Sequence, residues 1–471
     1  MKILFATSEA YPFAMSGGLG DVAYALPKAL RKKNIGVRVV LPLYSSVKSE
    51  FREKMKFLGH IIVPVAWRMQ YCGIFEIKYD GVTYILLDNE QYFKRDSMYG
   101  DFDDGERFAF FSRAVLEIIP FIKFYPDIIH CNDWQTALIP AYYNFLYYNR
   151  PDYENIKTVL TIHNIAYQGR YGREILTDVI GIDRWASSVF LYDGDINYMK
   201  AGIECAHCVT TVSPTYAKEI LDPWYSHELD GILKDRAWKL SGIVNGIDTD
   251  VYNPQTDKDL VKNYDIKTLA RKKENKKALQ KEAGLPVDDD IPLFSMVTRL
   301  VDHKGLDLLK DIFCDFLQND VQLIILGTGD VDYEEFFEKQ AAQYKDKFVF
   351  IKGFVPSLAR RIYAGSDVFL MPSKSEPCGL AQMVSMRYGT IPLVRETGGL
   401  KDTVEDSGNG EGWGFTFGNY DANELLHAMM RAAEGYKNKS GWKKLVTRAM
   451  GIDNSWSKSA GEYVKLFKSL L

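Results

Sequence analysis

LFSMVTRLVDHKGLD, residues 293–307, runs from a short apolar segment through a loop with Arg299 and Lys304 into an amphipathic stretch. Strand, loop and helix in that order make a βα unit, and here the pattern starts afresh in mid-chain. Downstream, Val321 to Leu326, Phe348 to Lys352, Val368 to Pro372 and Ile391 to Arg395 repeat it, with helical stretches between. Upstream, Lys2 to Thr7, Gly36 to Leu43, Asp127 to Cys131, Lys157 to His163, Cys208 to Ser213 and Gly242 to Asn245 form an earlier set of the same kind. A hairpin interrupts that set, where Phe75 to Tyr79 and Val82 to Leu87 flank Asp80-Gly81, a pair suited to a type I′ turn. Alternating β and α elements specify an α/β fold, so the chain reads as two doubly wound, Rossmann-like domains in series. Such domains bind ligands at the carboxyl ends of their strands, which puts the expected site in a central cleft that both face.

NGIDTDVYNP, residues 245–254, has the Asn, Gly, Asp and Pro of a linker, and the expected domains are residues 1–245 and 246–456. The lysine-rich run after it, with KKENKK at 272–277, reads as a solvated helical face. Composition narrows the function. The chain has 471 residues, 46% hydrophobic and 25% charged, enough apolar material for more than one core. Lys plus Arg number 58 against 62 Asp plus Glu, a balance of −4 that offers no field to gather nucleic acid or an anionic membrane. Six cysteines, at 72, 131, 205, 208, 314 and 378, lack the density of a disulfide framework, and Glu9 breaks the first apolar run before a signal segment is complete. No apolar stretch of about 18 residues spans a bilayer. A cytoplasmic protein without nucleic-acid or membrane partners is expected.

The motifs fall on strand-to-helix loops. SGGLGDV at 16–22 follows the first strand; Gly17 and Gly18 let backbone approach a ligand and the helix N-terminus favours an anion, although a tight turn also uses glycine, and Asp21 suits a helix start. Arg299 and Lys304 can neutralise a diphosphate, arginine by its fork and lysine as a point charge. SKSEPCGLAQM at 373–383 places Glu376 at a turn and the amides of Cys378, Gly379 and Leu380 at a helix start, a set able to hold sugar hydroxyls. VRETGGLKDTV at 394–404 repeats the anion geometry with Thr397, Gly398 and Gly399, whereas LGTGD at 326–330 ranks lower, as a turn serving the chain path. TIHNIAYQG at 161–169 sets His163 and Asn164 at a strand end, for hydrogen bonds to a polyol or for acid–base chemistry near neutral pH.

Together with HCNDWQTAL at 130–138, VTTVSPTYA at 209–217 and VNGIDTDVYNP, these loops make the sequence resemble the bacterial glycogen synthase and starch synthase family through almost its whole length. The resemblance implies a GT-B fold and a retaining hexosyltransferase that moves glucose from ADP-glucose to the non-reducing end of an α-1,4-glucan, without cofactor or essential metal. By family analogy Arg299 and Lys304 stabilise the leaving diphosphate, Glu376 contacts the glucosyl hydroxyls, and His163 holds the sugar near its 6-hydroxyl beside Asp133 and Asn164. The same analogy brings Asn245, Asp21 and residues 397–399 to the donor, with Phe354 against adenine or in the core. The analogy also predicts that a tail from 457 to 471 packs as a helix on the first domain. Where the family carries a lysine two residues before the glycine pair, this sequence has Met15, which supplies neither charge nor donor. UDP-glucose as donor, or a weakened glucan-binding paralogue, are the alternatives. Asp-x-Asp pairs at 193, 248 and 330 and the cluster Cys205, His207, Cys208 are expected to serve turns and packing, not a metal. Trp134 and the run YFKRDSMYG at 92–100 are candidates for stacking on the acceptor.

Overall fold

The computed structural model describes every residue from Met1 to Leu471. The chain folds into two compact units, one made of Met1–Ile243 with Trp456–Leu471 and the other of Val244–Ser455. The first unit therefore closes two residues before the expected 245, and takes back the chain from Trp456, one residue before the expected 457.

In unit one, β1 (Lys2–Ala6), β2 (Gly36–Pro42), β3 (Lys56–Val65), β4 (Arg68–Tyr79), β5 (Val82–Asp88), β6 (Ile128–Asn132) and β7 (Lys157–Ile162) come first. A small sheet of β8 (Arg170–Tyr171), β9 (Leu191–Tyr192) and β10 (Asp195–Asn197) interrupts, followed by β11 (Cys208–Thr211) and β12 (Leu240–Gly242). The main sheet has the order β12-β11-β7-β6-β1-β2-β5-β4-β3, parallel except where β4 pairs with β5 and β3. Asp80 and Gly81 both take positive φ, 47° and 80°, as the β4–β5 turn requires. The last strand ends at Gly242, where the sequence reading had it begin, because pairing with β11 stops one residue later at Ile243.

One face of this sheet is sealed by the helix Gly18–Lys32 and by the helix Trp456–Leu470, whose Trp456, Ala460, Tyr463 and Phe467 enter the core with Phe5, Val39 and Leu26. The apolar spacing of 456, 460, 463 and 467 is one helical face.

Unit two has β13 (Leu293–Leu300), β14 (Gln322–Gly329), β15 (Phe348–Lys352), β16 (Val368–Met371), β17 (Ile391–Arg395) and β18 (Phe415–Phe417) in the order β15-β14-β13-β16-β17-β18, all parallel. This order, 3-2-1-4-5-6 within the unit, is the doubly wound one, with its switch point between β13 and β16. The lysine-rich helix Lys272–Glu282 has the solvated face expected of it, with Lys273, Lys277 and Lys281 exposed, but not all of its lysines lie there. Lys272 and Lys276, one turn apart, are buried: Lys272 Nζ donates to Ala364 O at 2.6 Å and Thr390 Oγ1 at 2.9 Å, and Lys276 Nζ pairs with Asp367 at 2.7 Å. Lysine stems pack as hydrocarbon, so charge alone did not reveal which face turns inward.

Candidate active site

In unit two the switch point gathers the cations and the carboxylate. Arg299 lies near the carboxyl end of β13, exposed and without an ion pair, and Lys304 follows in the next turn. Lys304 Nζ reaches Glu376 Oε2 at 2.7 Å, and Ser373 Oγ donates to the same oxygen at 3.2 Å. The loops are stitched by backbone as well: Lys374 N donates to His303 O at 2.9 Å, and Gly399 N to Glu376 O and Pro377 O, both at 3.2 Å. Gly398 takes φ +42°, and a Cβ there would stand 2.0 Å from Glu376 O, so only glycine allows the loop after β17 to press on the loop that carries Glu376. Cys378 is buried, its thiol pushed up to about 12 by burial, with the amide of Asn245 facing it. Asn245 is itself buried and its Oδ1 has no hydrogen-bond partner.

Some expected anion donors are spent internally. The Thr397 amide bonds to Arg395 O within its own loop, and the Gly399 amide bonds to the Glu376 loop and holds the two loops together. Gly329 N likewise donates to Glu334 Oε1 at 2.9 Å, which gives LGTGD a role in the chain path. Phe354 is 70% exposed, so the core reading of it fails and an aromatic face stands free just beyond β15.

In unit one the strand ends of β1, β6 and β7 lie side by side. Asp133 follows β6 with φ 58°, and its Oδ1 accepts from His163 N at 2.7 Å and Asn164 N at 3.3 Å. Burial pushes this carboxyl up to about 7, opposed by those two amides. His163 Nε2 lies 2.9 Å from Asn132 Oδ1, and burial pushes its imidazole down to about 3. Burial disfavours the charged form, so the ring serves as a directional hydrogen-bonding group. Asp21 is pushed up to about 6 by burial and then by the charge of Glu9. Glu9 Oε2 accepts from Ser16 N at 2.7 Å and Gly17 N at 3.1 Å, so the anion cradle expected of the glycine loop is already filled by a carboxylate of the chain itself. Met15 lies over Gly20, half exposed.

Trp134 is 7% exposed, packed edge-on against Phe108 and covered by Gly169, and Tyr92 and Phe93 are buried, so none of the three offers a free stacking face. The exposed ring nearby in sequence is Tyr167, at the rim of a groove of about 590 Å³ with Gln168, Gly169, Arg170, His227 and Glu228. Asp193 and Asp195 face Arg170, and Asp248 caps its own turn by accepting from Asp250 N and Val251 N. His207 Nδ1 accepts from Thr158 N at 3.1 Å, and no group of three or more His, Cys, Asp or Glu gathers as metal ligands.

The family model described as starch synthase catalytic domain matches residues 2–235, and the glycosyl transferases group 1 model matches residues 275–445. A glycogen synthase from Bacillus anthracis is 51% identical over 475 residues, covering 100% of both chains. One from Clostridium perfringens is 50% identical, covering 100% of this chain and 98% of the other. The chain belongs to the glycogen and starch synthase family. The solved structure of the catalytic domain of starch synthase IV from Arabidopsis thaliana, bound to ADP and acarbose, superposes with a TM-score of 0.90 at 34% identity, covering 100% of this chain and 99% of that one.

The fold is accordingly GT-B, and the protein is a glycogen and starch synthase family hexosyltransferase acting from a nucleotide sugar onto a glucan. Sequence reasoning missed Glu9, Ser373 and Tyr167. Glu9 had a signal, a carboxylate in an otherwise apolar run directly behind a strand and ahead of a glycine pair; Tyr167 lay inside a quoted motif with nothing to tell its exposure from that of Trp134.

Proposed function

We propose that the protein transfers glucose from ADP-glucose to the 4-hydroxyl at the non-reducing end of an α-1,4-glucan, with retention at the anomeric carbon. The observation that carries this reading is the Lys304–Glu376 ion pair of 2.7 Å beside the exposed Arg299, on neighbouring strand ends at the switch point of unit two. Breaking the bond from C1 to the phosphate oxygen leaves growing negative charge on the diphosphate and positive charge on the sugar. Arg299 and Lys304 meet the first. Glu376 meets the second and accepts from a glucosyl hydroxyl, while Lys304 keeps it aligned. The acceptor oxygen bonds to C1 on the face the diphosphate leaves, and its proton passes to the departing phosphate oxygen. No metal or cofactor enters this scheme, since two cations already serve the leaving group.

Taken by itself, unit one offers His163, Asp133 and Asn164 as a directional hydrogen-bonding set for sugar hydroxyls, and its groove at Tyr167 suits glucose units of a glucan, one ring stacking on the tyrosine. Phe354 supplies a face for adenine. Residues 1–245 serve the acceptor and 246–456 the nucleotide sugar in this reading, which also places the protein in the cytoplasm, where its six cysteines remain thiols. Met15 gives specific ground for a second outcome, weakened donor use.

The test is label transfer to glycogen from ADP-glucose or UDP-glucose, with chelator present, for the wild type, Met15→Lys and Glu376→Ala with Arg299→Ala. Incorporation from ADP-glucose that falls by about a hundredfold or more in the double variant is expected. Unchanged transfer in that variant sinks the assignment. Rescue of a silent wild type by Met15→Lys identifies a lapsed enzyme.

A further inference from the structure

Asn132 closes β6, and it is wholly buried between the ends of β1 and β7. Its Nδ2 donates to Ala6 O at 2.9 Å and to His130 O at 3.3 Å, and its Oδ1 faces His163 Nε2 at 2.9 Å. The backbone beneath is clamped, since Asn132 N donates to Thr136 Oγ1 at 2.6 Å and that hydroxyl donates to Asn132 O at 2.9 Å. One side-chain amide thus ties three neighbouring strand ends, all within unit one.

These contacts leave one arrangement of hydrogens. Carbonyl oxygens only accept, so the atom that meets Ala6 O and His130 O is the amide nitrogen, and the atom turned to His163 is the oxygen. That oxygen also only accepts, so the ring nitrogen opposite it, Nε2, carries a proton. Burial keeps the imidazole from holding a second one. Nδ1 is left with a lone pair. It makes no hydrogen bond inside the chain, and His163 is partly exposed where Asn132 is not. A hydroxyl opposite Nδ1 must give its hydrogen, and a group that only accepts finds no donor there.

We infer that Asn132 is a positioning residue: it holds His163 as the tautomer protonated on Nε2, so that the histidine meets a sugar hydroxyl as an acceptor through Nδ1 and turns away groups that can only accept. The acceptor half rests on the reading that the His163 set meets sugar hydroxyls; the tautomer does not. Asn132 touches no ligand, being closed in by Ala6, His130 and Thr136, and acts through the ring it orients.

The test is nitrogen NMR of the full chain labelled with nitrogen-15 histidine, in which the signals lost in His163→Gln belong to His163. A protonated ring nitrogen and one with a free lone pair resonate far apart, so the spectrum reads the tautomer directly. The wild type is expected to show a protonated Nε2 and a lone-pair Nδ1. Maltopentaose and ADP-glucose, each titrated alone, report whether a hydroxyl donates to Nδ1: its signal moves toward the protonated range with at least one of them, while that of Nε2 stays. In Asn132→Leu, close in size but without an acceptor, the two nitrogens approach a common averaged shift, and kcat/KM for glucosyl transfer falls about tenfold or more. A loss of stability alone lowers the thermal midpoint without moving the ring nitrogens. Should Asn132→Leu not fold, Asn132→Ala takes its place, and the wild-type spectrum still decides the tautomer. A wild type with Nδ1 protonated, no response of Nδ1 to either sugar, or an Asn132→Leu with the wild-type tautomer each overturn the inference. A wild type with the expected spectrum and response that moves no label from ADP-glucose overturns the donor reading and upholds the inference.

Discussion

Asp133 holds a conformation uncommon for a side-chain-bearing residue, φ 58°, and its carboxyl is pushed up to about 7. The turn sends both the His163 and Asn164 amides to one oxygen, which favours the charged form, and burial outweighs them. Its linkage to stability has a definite sign. Between the ordinary aspartate value and about 7 the native state binds a proton that the unfolded chain has released, so the Asp133 contribution to stability declines as pH rises through that window. Asp133→Asn removes the decline. Relative to the wild type, the variant therefore gains stability from pH 5 to 7 and the gain levels off above about 7, reaching on the order of a few kcal/mol. Denaturant titrations at four pH values measure it; a constant difference across the range contradicts the assignment. At this scale the sequence named Asp133, His163 and Glu376 but not their charge states, which depend on burial that no short motif encodes.

Strand-end loops act as a connected set in unit two. The loop after β13 binds the loop after β16 through the Lys304–Glu376 pair and His303 O, and that loop binds the one after β17 through Gly399 N. Gly398 is where the connection is tightest. Gly398→Ala forces a Cβ toward Glu376 O, 2.0 Å away, at φ +42°, so the carboxylate loop must shift. Transfer falls by about a hundredfold and stability by about 2 kcal/mol or more, measured by the label assay and by thermal unfolding. An active, stable variant contradicts this packing. The elements themselves were legible wherever β-branched runs alternate with helices, as for β13, β15 and β17. β3 was not read, because KFLGHIIVPV is a mostly exposed edge strand with an irregular register at Gly59 and a proline, features that hide alternation. Nor were the two-residue strands β8 and β9, too short to carry a period.

Across the whole molecule, the division into two βα units and the linker near 245 follow from the sequence, whereas the return of the chain at Trp456 was inferred only from likeness to a known fold. Its energetic weight is large. Trp456, Tyr463 and Phe467 are almost fully buried in unit one, and at ~25 cal/mol per Å² their burial is worth on the order of 10 kcal/mol, comparable with the whole stability of a domain. A chain stopped at Ser455 is expected to lose the unfolding transition of unit one and keep that of unit two. Calorimetry with a fluorescence probe in each unit checks this; two intact transitions contradict it.

The same return has a consequence for biosynthesis. Val244–Ser455 is inserted, in chain order, between the two pieces of unit one. A ribosome delivers Met1–Ile243 first, yet the helix that seals its sheet emerges only after the whole insert, a delay of roughly tens of seconds at translation speed. Through that interval the apolar face around Phe5, Leu26 and Val39 lacks its cover, while the second-made unit already has its complete sequence. The nascent chain thus finishes its later unit before its earlier one, and chaperone demand should peak before, not after, Trp456 is added.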